Sequence, residues 1–312
     1  MAIEILNPSS KAEWLVIRRS DITASVAGAL FGIHDFLSPY ELWAQKTGRL
    51  ADVVSESDAM RRGRLLEPVA VQIIREERPN WRLEHNAADN TYYRDTESRL
   101  GGTPDVIAHD PCRGKGVVQI KSVESMLFRT KWKRDGVVDV PLWISLQASI
   151  EAHLTGAQWA AVAPLVIGFG VEMPIIDIPL LPEVIEAVKE ETAHFWAMIE
   201  RGEEPDPDYT IDGDVIGRLY PEARGGSVID LSMDNRIDQL LIDRADAKDI
   251  QKQAEAQAKT AEAEIKAKMG DYETATLASG QKITWKTTHR KESVTKASSY
   301  RILRCPTPVE AN

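Results

Sequence analysis

Two β-prone runs facing each other across a turn constrain this chain more than any other feature. Val106-Ile107-Ala108 and Val117-Val118-Gln119-Ile120-Lys121 are rich in β-branched residues, and residues 111–116 between them are turn chemistry, so the spacing predicts a hairpin. Gly101-Gly102-Thr103-Pro104-Asp105 leads into it. Side chains alternate along a strand, so Gln119 and Lys121 share one face and Ile120 takes the other. Asp105 can approach that pair where the strands cross. An acid, a second oxygen ligand and a lysine on one sheet edge are the minimal equipment for magnesium-assisted phosphodiester hydrolysis. The second position, 119, is Gln where Asp or Glu would be expected.

Composition narrows the setting. The 312 residues suffice for one large domain or two smaller ones, and 43% apolar content allows a core. No run of eighteen apolar residues exists and residues 1–10 lack a basic start, so a soluble protein without a membrane partner is expected. Two cysteines, Cys112 and Cys305, make neither a disulfide framework nor a zinc site, which suits a reducing, cytoplasmic compartment. The net charge of −10 argues against a protein that coats nucleic acid non-specifically. Yet residues 113–134 hold Arg113, Lys115, Lys121, Arg129, Lys131, Lys133 and Arg134 against Glu124 alone, and Arg62 and Arg64 precede Glu67. The basic residues gather around the hairpin.

Along the chain, Arg18-Arg19-Ser20-Asp21 reads as a phosphate-binding corner, with Ser20 or Asp21 capping a helix over residues 24–30; two solvated arginines beside a structural cap are the plainer alternative. Ser38-Pro39 opens a second helix. From Ser57 the 3.6 period returns, and Pro68 predicts a helix start or kink that leaves Glu67 near a helix end, either capping or buried with a partner. Residues 86–100 read as loop or strand. Pro141 announces a helix with Leu142, Leu146, Ile150 and Leu154 as its stripe, and Gln147 and Glu151 one turn apart on a neighbouring face. Residues 159–167 suit a strand buried on both faces, and 171–178 a further strand, giving a mixed sheet. A long helix over 181–201 ends in acid, Gly and Pro. The expected division is a core of residues 1–204 and an extension of 205–312, with a long Ala/Lys/Glu/Gln helix over about 234–269 and a small β-hairpin. Trp285 with Lys282, Lys286, His289, Arg290 and Lys291 forms a second basic-aromatic patch, for which a solvated hairpin face is the plainer reading.

These pieces, in this order, resemble the YqaJ-like viral recombinase family, phage-type exonucleases that include lambda exonuclease, within the PD-(D/E)xK nuclease superfamily. The resemblance covers roughly residues 14–167: Arg18 to Ser25, Ser38-Pro39-Tyr40-Glu41-Leu42-Trp43, Arg62-Gly63-Arg64-Leu65-Leu66-Glu67-Pro68, Thr103-Pro104-Asp105, Gln119-Ile120-Lys121 and Leu146-Gln147. It implies a restriction-endonuclease-like α/β core, a central mixed sheet flanked by helices. It also implies a Mg²⁺-dependent exonuclease, with Mn²⁺ as second candidate, that digests one strand of duplex DNA from its 5′ end. The 3′ overhangs would pass to a single-strand annealing protein, and the enzyme, phage or prophage encoded, would be a homo-oligomer with a toroidal trimer as one form.

By resemblance, Asp105 is the metal-binding acid, Glu67 the helix glutamate near the metals, Lys121 the lysine that orients water, and Gln147 the later motif glutamine. The main-chain oxygen of Ile120 completes the metal set with Gln119. Arg18 and Ser25 stand where the family binds a terminal phosphate, and Arg62, Arg64, Arg129 and Lys131 are further candidate DNA contacts. Gln119 departs from the pattern, since an amide oxygen ligates a hard cation with one negative charge fewer. Three readings stay open: a native, tolerated Gln; an introduced Glu→Gln; or a catalytically weakened DNA-binding or assembly protein of the same fold. A related endonuclease is a further alternative.

Overall fold

The hairpin forms, and it lies at the middle of a sheet. The computed structural model describes residues 3–50, 56–86, 90–289 and 301–306. In chain order, β1 (Ile3–Leu6) leads to α1 (Lys11–Arg19), whose first turn is capped by Ser10 accepting from the Glu13 N–H. After β2 (Ile22–Thr23) and a 3₁₀ turn (Ala27–Phe31) come α2 (Pro39–Lys46) and α3 (Asp58–Glu77), capped by Ser38 and Ser57. Strands β3 (Arg82–His85), β4 (Tyr92–Asp95), β5 (Leu100–Gly102), β6 (Val106–Asp110) and β7 (Gly114–Glu124) follow. Then come α4 (Ser125–Lys131), the small pair β8 (Lys133–Arg134) and β9 (Val137–Val138), and α5 (Leu142–Thr155). Strands β10 (Trp159–Ile167), β11 (Val171–Glu172) and β12 (Ile176–Ile178), helix α6 (Pro182–Glu200) and α7 (Gly213–Leu219) complete the first of two compact units, residues 1–219.

Among the described residues the main sheet runs β11-β10-β7-β6-β3, with β12 also on β10, and β7 and β10 are parallel. Neighbouring parallel strands need a crossover, and here it carries α5 back over the sheet. That connection puts one helix above the odd positions of β7. The even residues Val118 and Ile120 pack with Ala70, Val71 and Ile74 of α3, while Val123 packs with Ile144, Ala148 and Ala152 of α5. Helices therefore cover both faces, which is why β10 is apolar along its whole length. The architecture is α/β with a central mixed sheet.

A second sheet, β1-β4-β5-β2, stands beside the site. It shortens the helix expected over residues 24–30 to the 3₁₀ turn Ala27–Phe31. Ile22 and Thr23 pair with Leu100 and Gly101 as parallel strand instead, and Ser20 ends α1 rather than opening a helix. Asp21 is no cap: it is fully buried, accepting from Tyr92 Oη and Arg94 Nε at 3.0 Å each. Gly101 is required here, since a Cβ on it would fall 1.8 Å from Tyr92 Oη.

Two further differences concern boundaries. Pro68 is accommodated inside α3, so Glu67 sits within a helix of 20 residues and not near its end. Residues 205–219, expected in the extension, pack with the core: Asp212 accepts from Ser38 Oγ at 2.5 Å, Val215 joins the cluster of Leu42, Trp43 and Trp196, and Arg218 pairs with Glu41. The second unit, residues 220–312, holds α8 (Ile237–Met269) and a hairpin of β13 (Thr274–Thr276) and β14 (Lys282–Thr284). Lys282, Trp285, Lys286 and His289 are exposed there, whereas Arg290 and Lys291 lie outside the described residues. No helix among the described residues is long and apolar enough to cross a membrane.

Candidate active site

Asp105 occupies the last position before β6, and its main-chain carbonyl accepts from Asn86 N at 3.0 Å, which fixes the strand entry. Its carboxylate turns to β7. Oδ2 accepts the main-chain N–H of Ile120 at 2.8 Å and the side-chain amide Nε2 of Gln119 at 2.5 Å. The opposite amide assignment would aim a carbonyl oxygen at a carboxylate, so the neighbour sets the orientation of Gln119. Its Oε1 is then buried without a hydrogen-bond partner. Glu67 reaches this region from α3, its Oε1 2.7 Å from Nε2 of His85 on β3.

On the same face of β7, Lys121 Nζ donates to Gln147 Oε1 at 2.9 Å. Gln147 Nε2 donates in turn to Glu151 Oε1 at 2.9 Å, one turn along α5. Glu151 is 1% exposed and its Oε2 has no partner. The electrostatics follow from burial. Desolvation, then the charge of Glu67, lifts Asp105 to about 7, against the pull of Lys121. Desolvation, then the charge of Asp105, lifts Glu151 to about 8. Burial lowers Lys121, while Asp105, Glu151 and Glu67 hold it up. The site is thus rich in acid for the cation it contains.

Among the described residues no group of three or more His, Cys, Asp or Glu side chains is arranged to hold a metal. The oxygens beside Asp105 are those of the Glu67 carboxylate and the Ile120 carbonyl, while Gln119 faces Asp105 and that carbonyl through Nε2, at 2.5 and 3.5 Å, and not through Oε1. Such a set suits a hard divalent cation, and a soft metal poorly.

A cleft of about 600 Å³ opens onto Asp105 and Glu67, with Trp14, Arg64, Asn86 and Thr103 among its walls. Trp14 donates from Nε1 to Thr103 Oγ1 at 3.2 Å and carries the Arg18 guanidinium 4.1 Å from its ring centroid. Arg18 Nη2 lies 3.2 Å from Ser25 Oγ and 3.3 Å from Thr23 Oγ1, so the expected corner of Arg18 and Ser25 is assembled, with Thr23 as a third member.

The other basic candidates are placed differently. Arg62 is held by Glu124 at 2.9 Å and by the Ser122 carbonyl. Arg64 borders the cleft, but two of its three guanidinium nitrogens, Nε and Nη2, donate to Glu56 at 2.7 and 3.0 Å. Arg129 lines a separate cleft beside Phe169, and Lys131 is exposed at the end of α4. The structure groups Glu67, Asp105, Gln119, Lys121 and Gln147, and does not bring Arg129 or Lys131 to them.

Two residues of this network escape sequence reasoning. Glu151 has a signal, a charge inside the apolar run of α5 four positions after Gln147. His85 has none, because only the β3–β6 register brings it to Glu67.

Comparison with known proteins places the chain. Over 274 residues it is 25% identical to the uncharacterized protein YqaJ of Bacillus subtilis (strain 168), covering 85% of this chain and 80% of that one. The crystal structure of an alkaline exonuclease from Laribacter hongkongensis is 19% identical, with a TM-score of 0.44, covering 62% of this chain and 94% of that one. The same exonuclease in complex with dAMP is 19% identical with a TM-score of 0.43 over the same shares. Residues 13–158, which contain every member of the network from Trp14 to Glu151, match the description YqaJ-like viral recombinase domain.

Proposed function

We propose that this protein is a divalent-cation-dependent deoxyribonuclease that digests one strand of linear duplex DNA from its 5′ end and leaves 3′ single-stranded overhangs. The observation that carries the reading is that β7, inside the main sheet, grips the Asp105 carboxylate through the Ile120 N–H at 2.8 Å while its next residue, Lys121, is held by Gln147 at 2.9 Å, so that acid and ammonium act on each other. The match of residues 13–158 to the YqaJ-like viral recombinase domain supports the same class.

Asp105, Glu67 and the Ile120 carbonyl would hold Mg²⁺ or Mn²⁺. Bound there, the cation would polarise the scissile phosphate and acidify a water. Lys121, directed by Gln147, opposes the negative charge that develops on the phosphate. Arg18, Thr23 and Ser25 offer donors of suitable type for the terminal 5′-phosphate. In this reading the overhangs go to a single-strand annealing protein and the chain works as a homo-oligomer, a trimer first among the forms. It would be encoded by a phage or prophage and act in the cytoplasm of a bacterial host. The second unit, from residue 220, would serve assembly or partner binding.

The test is digestion of 5′-phosphorylated linear duplex against closed circular duplex with Mg²⁺ or Mn²⁺. Nucleotide release from the linear form alone, lost in Asp105→Ala, is the expected result; cutting of the circle would make the protein an endonuclease. A second reading draws on the Gln119–Asp105 hydrogen bond, which occupies a carboxylate oxygen that a cation would use. It makes the protein a DNA-binding member with weakened catalysis, and it predicts that Gln119→Glu cuts where the parent chain does not.

A further inference from the structure

Helix α5 holds one carboxyl that the proposed chemistry leaves unused. Glu151 is almost fully buried, and its Cγ packs over β5 so closely that a Cβ at Gly102 would meet it at 3.3 Å. Burying a carboxyl costs free energy unless its oxygens are satisfied, and here only Oε1 is, by Gln147. An apolar residue of similar volume would serve the fold better. Glu151 weakens the helix packing where it stands.

What it gains is orientation. A glutamine amide can present either end, and here Nε2 donates to Glu151 Oε1 at 2.9 Å. Oε1 is thereby turned to Lys121 Nζ. The row Glu151–Gln147–Lys121 ends on an ammonium that acts on Asp105. At the same time β7 carries an amide at position 119 where a second carboxylate would stand.

We propose that Glu151 is a positioning residue of this site and supplies from α5 the second carboxyl that β7 lacks at position 119, setting the Gln147 amide and through it the direction of the Lys121 ammonium. The inference rests on the nuclease reading for what Lys121 does, and on the side-chain network for what Glu151 does to Lys121.

Four chains decide it: the parent, Glu151→Gln, Gln119→Glu and the exchanged double variant, Gln119→Glu with Glu151→Gln. Each is read by nucleotide release from linear duplex, by Mn²⁺ affinity without DNA, followed by the electron paramagnetic resonance of the free ion, and by thermal melting. Glu151→Gln is expected to lower kcat and Mn²⁺ affinity on the order of tenfold or more, with the KM for DNA little changed. Its melting temperature stays or rises, because a buried carboxyl is gone, whereas a merely structural residue would lower it. The double variant recovers most of both losses. Parent values in Glu151→Gln, or a double variant worse than Glu151→Gln in Mn²⁺ affinity, overturn the proposal. Should neither the parent nor Gln119→Glu release nucleotides, the nuclease reading falls, and the Mn²⁺ series still decides the role of Glu151.

Discussion

Gln119 donates its side-chain amide to the same oxygen of Asp105 that accepts the main-chain N–H of Ile120. A carboxylate gripped twice on one oxygen is fixed in direction, and its other oxygen is turned away from the strand. Replacing Gln119 by Glu removes the donor and sets two carboxylates against each other. We expect Gln119→Glu to destabilise the cation-free protein by about 1–3 kcal/mol and to strengthen Mg²⁺ or Mn²⁺ binding. Melting with chelator and with saturating Mn²⁺ reads both effects, and a variant less stable in both conditions would argue against a cation between these residues.

The Lys121 ammonium lowers the proton affinity of both buried carboxyls. Lys121→Met keeps most of the side-chain volume and removes the charge. A fall in kcat on the order of a hundredfold is expected, with DNA affinity largely retained, because the charge acts on the developing transition state more than on the bound duplex. Single-turnover digestion beside a binding titration separates the two. A matched loss of binding would make Lys121 a DNA contact.

Arg18, on the Trp14 ring and beside Thr23 and Ser25, is expected to recognise the phosphorylated end. Arg18→Ala should reduce the preference for 5′-phosphate over 5′-hydroxyl duplex by about tenfold, the worth of one charge-assisted hydrogen-bonded group. The informative quantity is the ratio of kcat/KM for the two substrates. Equal losses on both would place Arg18 in general DNA binding.

How much of this was legible beforehand depends on how local the cause is. The hairpin, the shared face of Gln119 and Lys121, and the doubly buried strand at 159–167 follow from short-range pattern, and the structure has all three. The helix expected over 24–30 starts only at Ala27 and is a 3₁₀ turn, because the strand before it, Ile22–Thr23, finds its partner at Leu100, far along the chain. His85 was invisible for the same reason, being delivered to Glu67 by a strand register. Counting basic residues could not show that Arg62 and Arg64 are paired with Glu124 and Glu56. Glu151 was legible as a charge in an apolar helix, but its link to Lys121 exists only once the β7–α5–β10 crossover sets α5 over the strand.

Gly101 offers a test of the fold around the site. A Cβ there would lie 1.8 Å from Tyr92 Oη and 2.3 Å from its Cζ, and Tyr92 is fully buried and tied to Asp21. Gly101→Ala is therefore expected to cost about 3 kcal/mol or more, since neither the ring nor the strand can withdraw. Denaturant unfolding measures it, and a near-neutral result would mean that the Tyr92–Asp21 contact is looser than the structure has it.

The last prediction concerns pH and needs its sign worked out. Burial lifts Asp105 to about 7 and Glu151 to about 8, and unfolded carboxyls titrate near about 4. Between these values the folded protein keeps protons that the unfolded chain has released, so stability falls as pH rises and levels off above the folded values. His34 and His153, lowered chiefly by burial, act in the opposite sense below about 6.5. The window is therefore about pH 6.5 to about pH 8.5, where the two raised carboxyls act against the single Lys121, whose lowering by burial has the opposite sign. In chelator, the melting temperature should drop across that window, and Asp105→Asn or Glu151→Gln should flatten the drop. Saturating Mn²⁺ should flatten it too, because a nearby cation pulls both carboxyls down. A chelated protein whose stability is level or rising from about pH 6.5 to about pH 8.5 does not carry two proton-holding carboxyls at this site.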